Sequence, residues 1–100
     1  VPRYDLNLLL NPNLDSYQLG LEKGVIEQIL ERHQAQVISV DERGSFRLAY
    51  PIQKDSQAYL IFYSVEVPRD LVGSLQRELR LRDNIRRVMM VRELPRAQKA

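Results

Sequence analysis

Cysteine is absent from the chain. That excludes a disulfide framework, thiolate chemistry and cysteine-ligated zinc. Histidine occurs once, at His33 near the end of an amphipathic segment, so no second imidazole can complete a metal site, and a helix-end role is expected. No apolar run approaches the roughly 20 residues a spanning helix needs, and no signal-peptide pattern is present, so a cytosolic protein is expected. The four glycines, Gly20, Gly24, Gly44 and Gly73, are too scattered for a phosphate-binding loop. The serines lack any nucleophile-elbow context, and Asp41 and Glu42, adjacent on a strand, point to opposite faces and cannot act as a dyad. No internal repeat or low-complexity segment appears. Nothing assembles a reaction, so the chain is predicted to be non-enzymatic, with no metal and no cofactor.

What remains is an ordinary globular composition, 44% hydrophobic and 28% charged, which argues against disorder. One hundred residues suit a single core. A single domain is expected over residues 1–94, with a C-terminal tail at 95–100.

Residues 4–10 alternate as a strand, with Leu6, Leu8 and Leu10 on one face. Asn11-Pro12-Asn13 stops it. Asp15 is a candidate N-cap, and Gln18 three residues later completes a capping box. The helix then runs to about Arg32, despite Gly20 and Gly24. Residues 36–40 read as a second strand, continuing through Phe46, Leu48 and Tyr50 after a bend at 41–45. Residues 51–56 read as a loop, and 58–67 form the clearest strand, rich in aromatic and β-branched residues. Pro68 and Asp70 open a second helix with Leu71, Val72, Leu75 and Leu79 as its apolar stripe. Residues 85–92 form the last strand.

The order β-α-β-β-α-β predicts an α+β fold of the ferredoxin-like, split βαβ kind. Right-handed crossovers place both helices on one face of a four-stranded antiparallel sheet and leave the other face uncovered. On that open face the alternation puts Leu9, Leu60, Phe62, Met89 and Val91, where polar residues are the norm. A contiguous apolar set there would mark a protein-partner interface, or a surface for self-association through the face or edge when no partner is present.

Charge is unevenly distributed. The chain carries a net +2, but residues 77–96 hold seven arginines against three acids, a local +4. Six of those arginines fall in residues 77–92, a run without lysine. Arginine offers a planar fork that grips phosphate or carboxylate bidentately and stacks on bases. Asp83-Asn84 is a turn signal inside the run, so a fixed turn should hold Arg82, Arg86 and Arg87 close together. A neutral body with one basic end suggests a local footprint on a polyanion. An RNA-recognition motif would stack bases on the open face. The corresponding stretch, residues 57–63, lacks the basic residue and the glycine of that pattern, and its open face is aliphatic apart from Phe62. That face suits a protein better, leaving the arginine rim, with Arg3 and Lys54 nearby, for phosphates of folded RNA.

The stretches Arg3-Tyr4, Asn11-Pro12-Asn13-Leu14-Asp15, Leu21-Glu22-Lys23, Leu48-Ala49-Tyr50-Pro51-Ile52, Lys54-Asp55, Tyr59 and the segment from Arg77 through Arg82-Asp83-Asn84 to Met89 are similar to those of bacterial small-subunit ribosomal protein six. The resemblance covers essentially the whole chain. It implies a β-α-β-β-α-β structural component of the small ribosomal subunit that binds small-subunit ribosomal RNA together with ribosomal protein eighteen. It further implies RNA contacts at Arg3, Lys54, Arg80, Arg82, Arg86, Arg87 and Arg92, with the apolar open face or its edge receiving the companion. The alternative is a non-catalytic ferredoxin-like scaffold, or an engineered folding model, whose arginines serve only solubility. An acylphosphatase-like activity is a distant third, because the loop 11–15 has no arginine to hold phosphate.

Overall fold

The computed structural model describes residues 2–52 and 55–92, without the side chains of 49–52 and 55. The order is β1 (Arg3–Leu10), α1 (Ser16–Arg32), β2 (Gln36–Ile52), β3 (Asp55–Glu66), a 3-10 turn (Arg69–Leu71), α2 (Val72–Arg80) and β4 (Ile85–Arg92). The four strands form one sheet in the order β2-β3-β1-β4, with every neighbouring pair antiparallel. This is the split βαβ arrangement expected from the pattern. The tail 95–100 lies outside the described residues.

α1 begins where its cap is written. The Asp15 side chain accepts from the Gln18 backbone N–H at 2.8 Å, and the Gln18 side chain accepts from the Asp15 N–H at 3.2 Å, a complete capping box. The helix ends on His33, whose Nδ1 donates to the Ile29 carbonyl at 2.8 Å. Beyond it, the Ala35 N–H reaches the Leu30 carbonyl at 2.9 Å and the Gln34 N–H reaches Glu31 at 3.1 Å, the paired bonds of a Schellman cap. Gln34 therefore takes φ of +58°, a left-handed conformation that usually selects glycine.

Both helices cover the sheet face carrying Leu6, Leu8, Leu10, Ile61, Tyr63, Val65 and Val88, and they contribute Ile26, Ile29, Leu30, Leu75 and Leu79 to the same core. Fully burying each aliphatic side chain is worth about 1.5–3 kcal/mol, so this face supplies most of the fold's stabilisation. The helices are also linked at their ends: Arg32 pairs with Glu78, and His33 Nε2 lies 3.6 Å from the same carboxylate. Burial pushes the phenol of Tyr63 up to about 12.

Two expectations about the long hairpin need correction. The 51–56 stretch is mostly strand: β2 extends to Ile52, β3 begins at Asp55, and Ile52 pairs with Asp55. The bend at 41–45 is a bulge within a continuous strand. Glu42 pairs with Ile61 and Gly44 with Leu60, leaving Arg43 as the extra residue. Gly44 takes φ of +85°, which a residue with a Cβ rarely adopts. A second extra residue, Ile38, lies between the pairs Val37–Val65 and Ser39–Ser64.

Candidate nucleic-acid interface

The arginine run covers the end of α2, the connection 81–84 and the whole of β4. Leu81 N–H bonds to the Glu78 carbonyl and Arg82 N–H to Leu79, closing the helix. The Ile85 N–H then bonds to the Arg82 carbonyl at 3.1 Å, closing the turn that Asp83-Asn84 signals. Arg86 adds a side-chain bond to the Asp83 carbonyl.

Pairing of β4 with β1 runs from Tyr4–Arg92 to Leu9–Arg87 in step and then slips, so that Leu10 faces Ile85. Arg86 is the extra residue. A bulge breaks the in-out alternation of a strand and re-aims its side chains. This explains how consecutive residues 86 and 87 come to line the same concavity. That groove, about 570 Å³, is lined by Arg80, Arg82, Arg86 and Arg87 together with Asp83, Ile85, Val88 and Met89. Four guanidinium groups around one open groove make it strongly cationic, the kind of charge that attracts phosphates.

The remaining candidates are elsewhere. Arg92 faces Tyr4 at the opposite end of β4, about 17 Å from Arg87 at roughly 3.3 Å per residue. Arg3, on the neighbouring strand at that end, pairs with Glu66 at 3.3 Å. Lys54 lies outside the described residues. The predicted basic set thus divides into a groove of four arginines and a separate end with two.

Within the groove, Arg82 differs from its neighbours. Its Nε and Nη2 donate to the two oxygens of Glu22, at 3.0 and 2.9 Å. Glu22 is on α1 and only 3% exposed. The Arg82 hydrogen bonds hold its carboxyl below the ordinary carboxylate value, against the upward push of burial, and a hydrogen bond from the Asn84 side chain acts in the same direction. Asn84 is itself tied to Asn11, side chain to side chain at 3.2 Å and backbone to backbone at 2.8 Å. Sequence reasoning did not single out this network. A signal was available: Glu22 stands three residues after Leu19 and four before Ile26, a charge on the apolar stripe of α1 that required a partner.

The open sheet face is less apolar than expected. Leu9 lies between Leu60 and Arg87 and is already buried by its neighbours. Leu60 and Phe62 are half-buried, while Met89 and Val91 are exposed. The apolar set is not contiguous, because the row through Phe62 and Met89 is interrupted by Asn7, and the next row places Ser64 and Asp5 before Val91. A shallow groove of about 340 Å³ here is lined by Asp5, Asn7, Ser39, Asp41, Phe62, Tyr63 and Ser64. The β2 bulge carries the Arg43 guanidinium over the Phe62 ring, 5.2 Å from its centre, and Arg43 Nε donates to Asp41 at 2.7 Å. The face is therefore amphipathic, apolar patches alternating with carboxylates and amides. Strict alternation cannot foresee such a cover, because a bulge is one inserted residue. At the far margin of the sheet, Phe46 on β2 is also exposed.

The sequence profile of the family described as Ribosomal protein S6 matches residues 3–92. The chain belongs to the ribosomal protein S6 family. A Small ribosomal subunit protein bS6 from Thermus thermophilus is 57% identical over 90 residues, covering 90% of this chain and 89% of its own length. The bS6 of Deinococcus deserti is 41% identical over 93 residues, covering 93% of this chain and 91% of its own. The crystal structure of 30S ribosomal protein S6 from Thermotoga maritima superposes with a TM-score of 0.80 at 19% identity, covering 92% of this chain and 87% of that one. At that identity it supports the fold alone. Membership in the S6 family makes this protein a structural, non-enzymatic component of the small subunit of the cytoplasmic ribosome. No helix among the described residues of this S6 relative is long and apolar enough to cross a membrane.

Proposed function

We propose that the protein binds small-subunit ribosomal RNA together with ribosomal protein eighteen, the arginine groove meeting phosphates and the open sheet face receiving the companion. The observation that carries this reading is the convergence of Arg80, Arg82, Arg86 and Arg87 on one groove of about 570 Å³, bordered by the exposed side chain of Met89. RNA held at the groove would therefore lie beside a protein seated on the sheet. Leu60, Phe62, Met89 and Val91 give that protein apolar contacts, while Leu9, already covered, adds little. Arg3 and Arg92, together at the other end of the sheet, would serve a second stretch of RNA, separate from the groove.

The test is titration with a small-subunit rRNA fragment, with and without the companion, across a salt series. If about three arginines each neutralise a phosphate, log K should fall against log salt with a slope near −2 to −3. Binding should tighten when the companion is present. Absence of companion-dependent binding at low salt would overturn the proposal and leave the arginines as surface charge.

A further inference from the structure

Arg82 stands in the middle of the basic run, yet two of its five N–H donors are already committed to a buried carboxylate. We infer that Arg82 is a positioning residue rather than a phosphate contact: its fork on Glu22 clamps the α2–β4 turn to α1, so that Arg80, Arg86 and Arg87 face one groove before RNA arrives. This rests on the RNA-binding reading above and goes beyond it by dividing the four arginines into one that shapes the groove and three that use it.

The argument is one of competition. Glu22 is an acceptor-only group at 3% exposure, and Arg82 satisfies both of its oxygens. Moving Arg82 onto a phosphate would strand a buried negative charge, which costs far more than an exposed ion pair returns. The turn is also held from its other side, because the Asn84 carbonyl and side-chain oxygen accept from the backbone and side-chain amides of Asn11. Glu22, Arg82, Asn84 and Asn11 thus join α1, the turn and the end of β1 into one rigid corner. A preorganised set of cations binds better because less ordering is left for the binding event.

The experiment measures affinity for the rRNA fragment with the companion present, over a salt series, after each variant is shown to unfold cooperatively. Arg87→Ala, removing a phosphate contact, should lower the magnitude of the salt slope by about one. Arg82→Met should weaken binding about fivefold to tenfold through lost preorganisation, with the slope unchanged. Glu22→Gln gives the sharpest sign. It removes a negative charge and releases Arg82, so an Arg82 serving as an RNA contact would bind more tightly, whereas a positioning Arg82 requires weaker binding. A slope loss of about one for Arg82→Met, or equal or tighter binding by Glu22→Gln, overturns the inference. If either single variant fails to fold, Glu22→Met combined with Arg82→Met removes both charges together and carries the same slope test. Failure of the underlying reading would differ: the unmodified protein would show no companion-dependent binding, and Arg87→Ala would change nothing.

Discussion

The two faces of the sheet obey different rules although they are made from the same strands. Toward the helices, every second residue of β1 from Tyr4 to Leu10 and of β3 from Ile61 to Val65 is apolar and almost fully buried. Toward the open side, the intervening positions mix Leu9, Leu60 and Phe62 with Asp5, Asn7 and Ser64. The first face is dictated by burial and the second by whatever must be met there. The comparison shows where stability and binding reside: substitutions on one face should move the fold, and on the other should move only association.

The largest effect on stability is expected from Leu8→Ala. Leu8 is fully buried between Ile61 and Val88 on the helix-covered face. Its truncation should cost about 3 kcal/mol, within the 2–5 kcal/mol typical of such cavities, read as a lower denaturation midpoint in urea at unchanged slope. A loss as small as that of an open-face variant would erase the distinction between the faces.

Next is Glu22→Gln, which leaves a cation without its partner in the helix layer. About 1–2 kcal/mol is expected, below the range for a broken buried pair, because the cation left behind is 40% exposed. The pH dependence gives the sharper signature. Glu22 has a lower carboxyl pKa folded than its ordinary value of 4.5, so its contribution is complete above that value and is lost as pH falls through the lowered one. The variant should therefore lose less stability than the parent between neutral and acid pH, as measured by thermal unfolding at several pH values. Equal acid sensitivity would mean that the pair does not stabilise the fold.

The smallest effect on stability belongs to Met89→Ser on the open face. A change within about 0.5 kcal/mol is expected at so exposed a position, alongside a clear loss in affinity for the companion protein. Unchanged companion binding would move the proposed contact away from this row.

The helix-covered face was legible from the sequence because period two in strands and the stripe 71, 72, 75, 79 in a helix are repeated signals, each residue supporting the next. The start of α1 was legible for a different reason: Asp15 and Gln18 are local, and a cap needs only four residues. What escaped were single events and distant pairs. Ile38, Arg43 and Arg86 are each one inserted residue, invisible to a periodic count. The Glu22–Arg82 pair spans 60 positions. The grouping of Arg82, Arg86 and Arg87 was expected from the turn signal; that Arg80 joins them from the end of α2, and that Arg3 and Arg92 lie apart, required helix orientation and strand register, which a linear run of arginines does not contain.

The bulge at Arg86 also has a mechanical meaning. On one side of it, Asn84 is fastened to Asn11; on the other, Val88 is locked opposite Leu8 in the core. These two anchorages are out of step by one residue, and Arg86 is the slack that lets both hold at once. With its side chain bonded to the Asp83 carbonyl, Arg86 belongs to the turn rather than to the core, so local adjustment of the groove need not be transmitted to the fold beneath it.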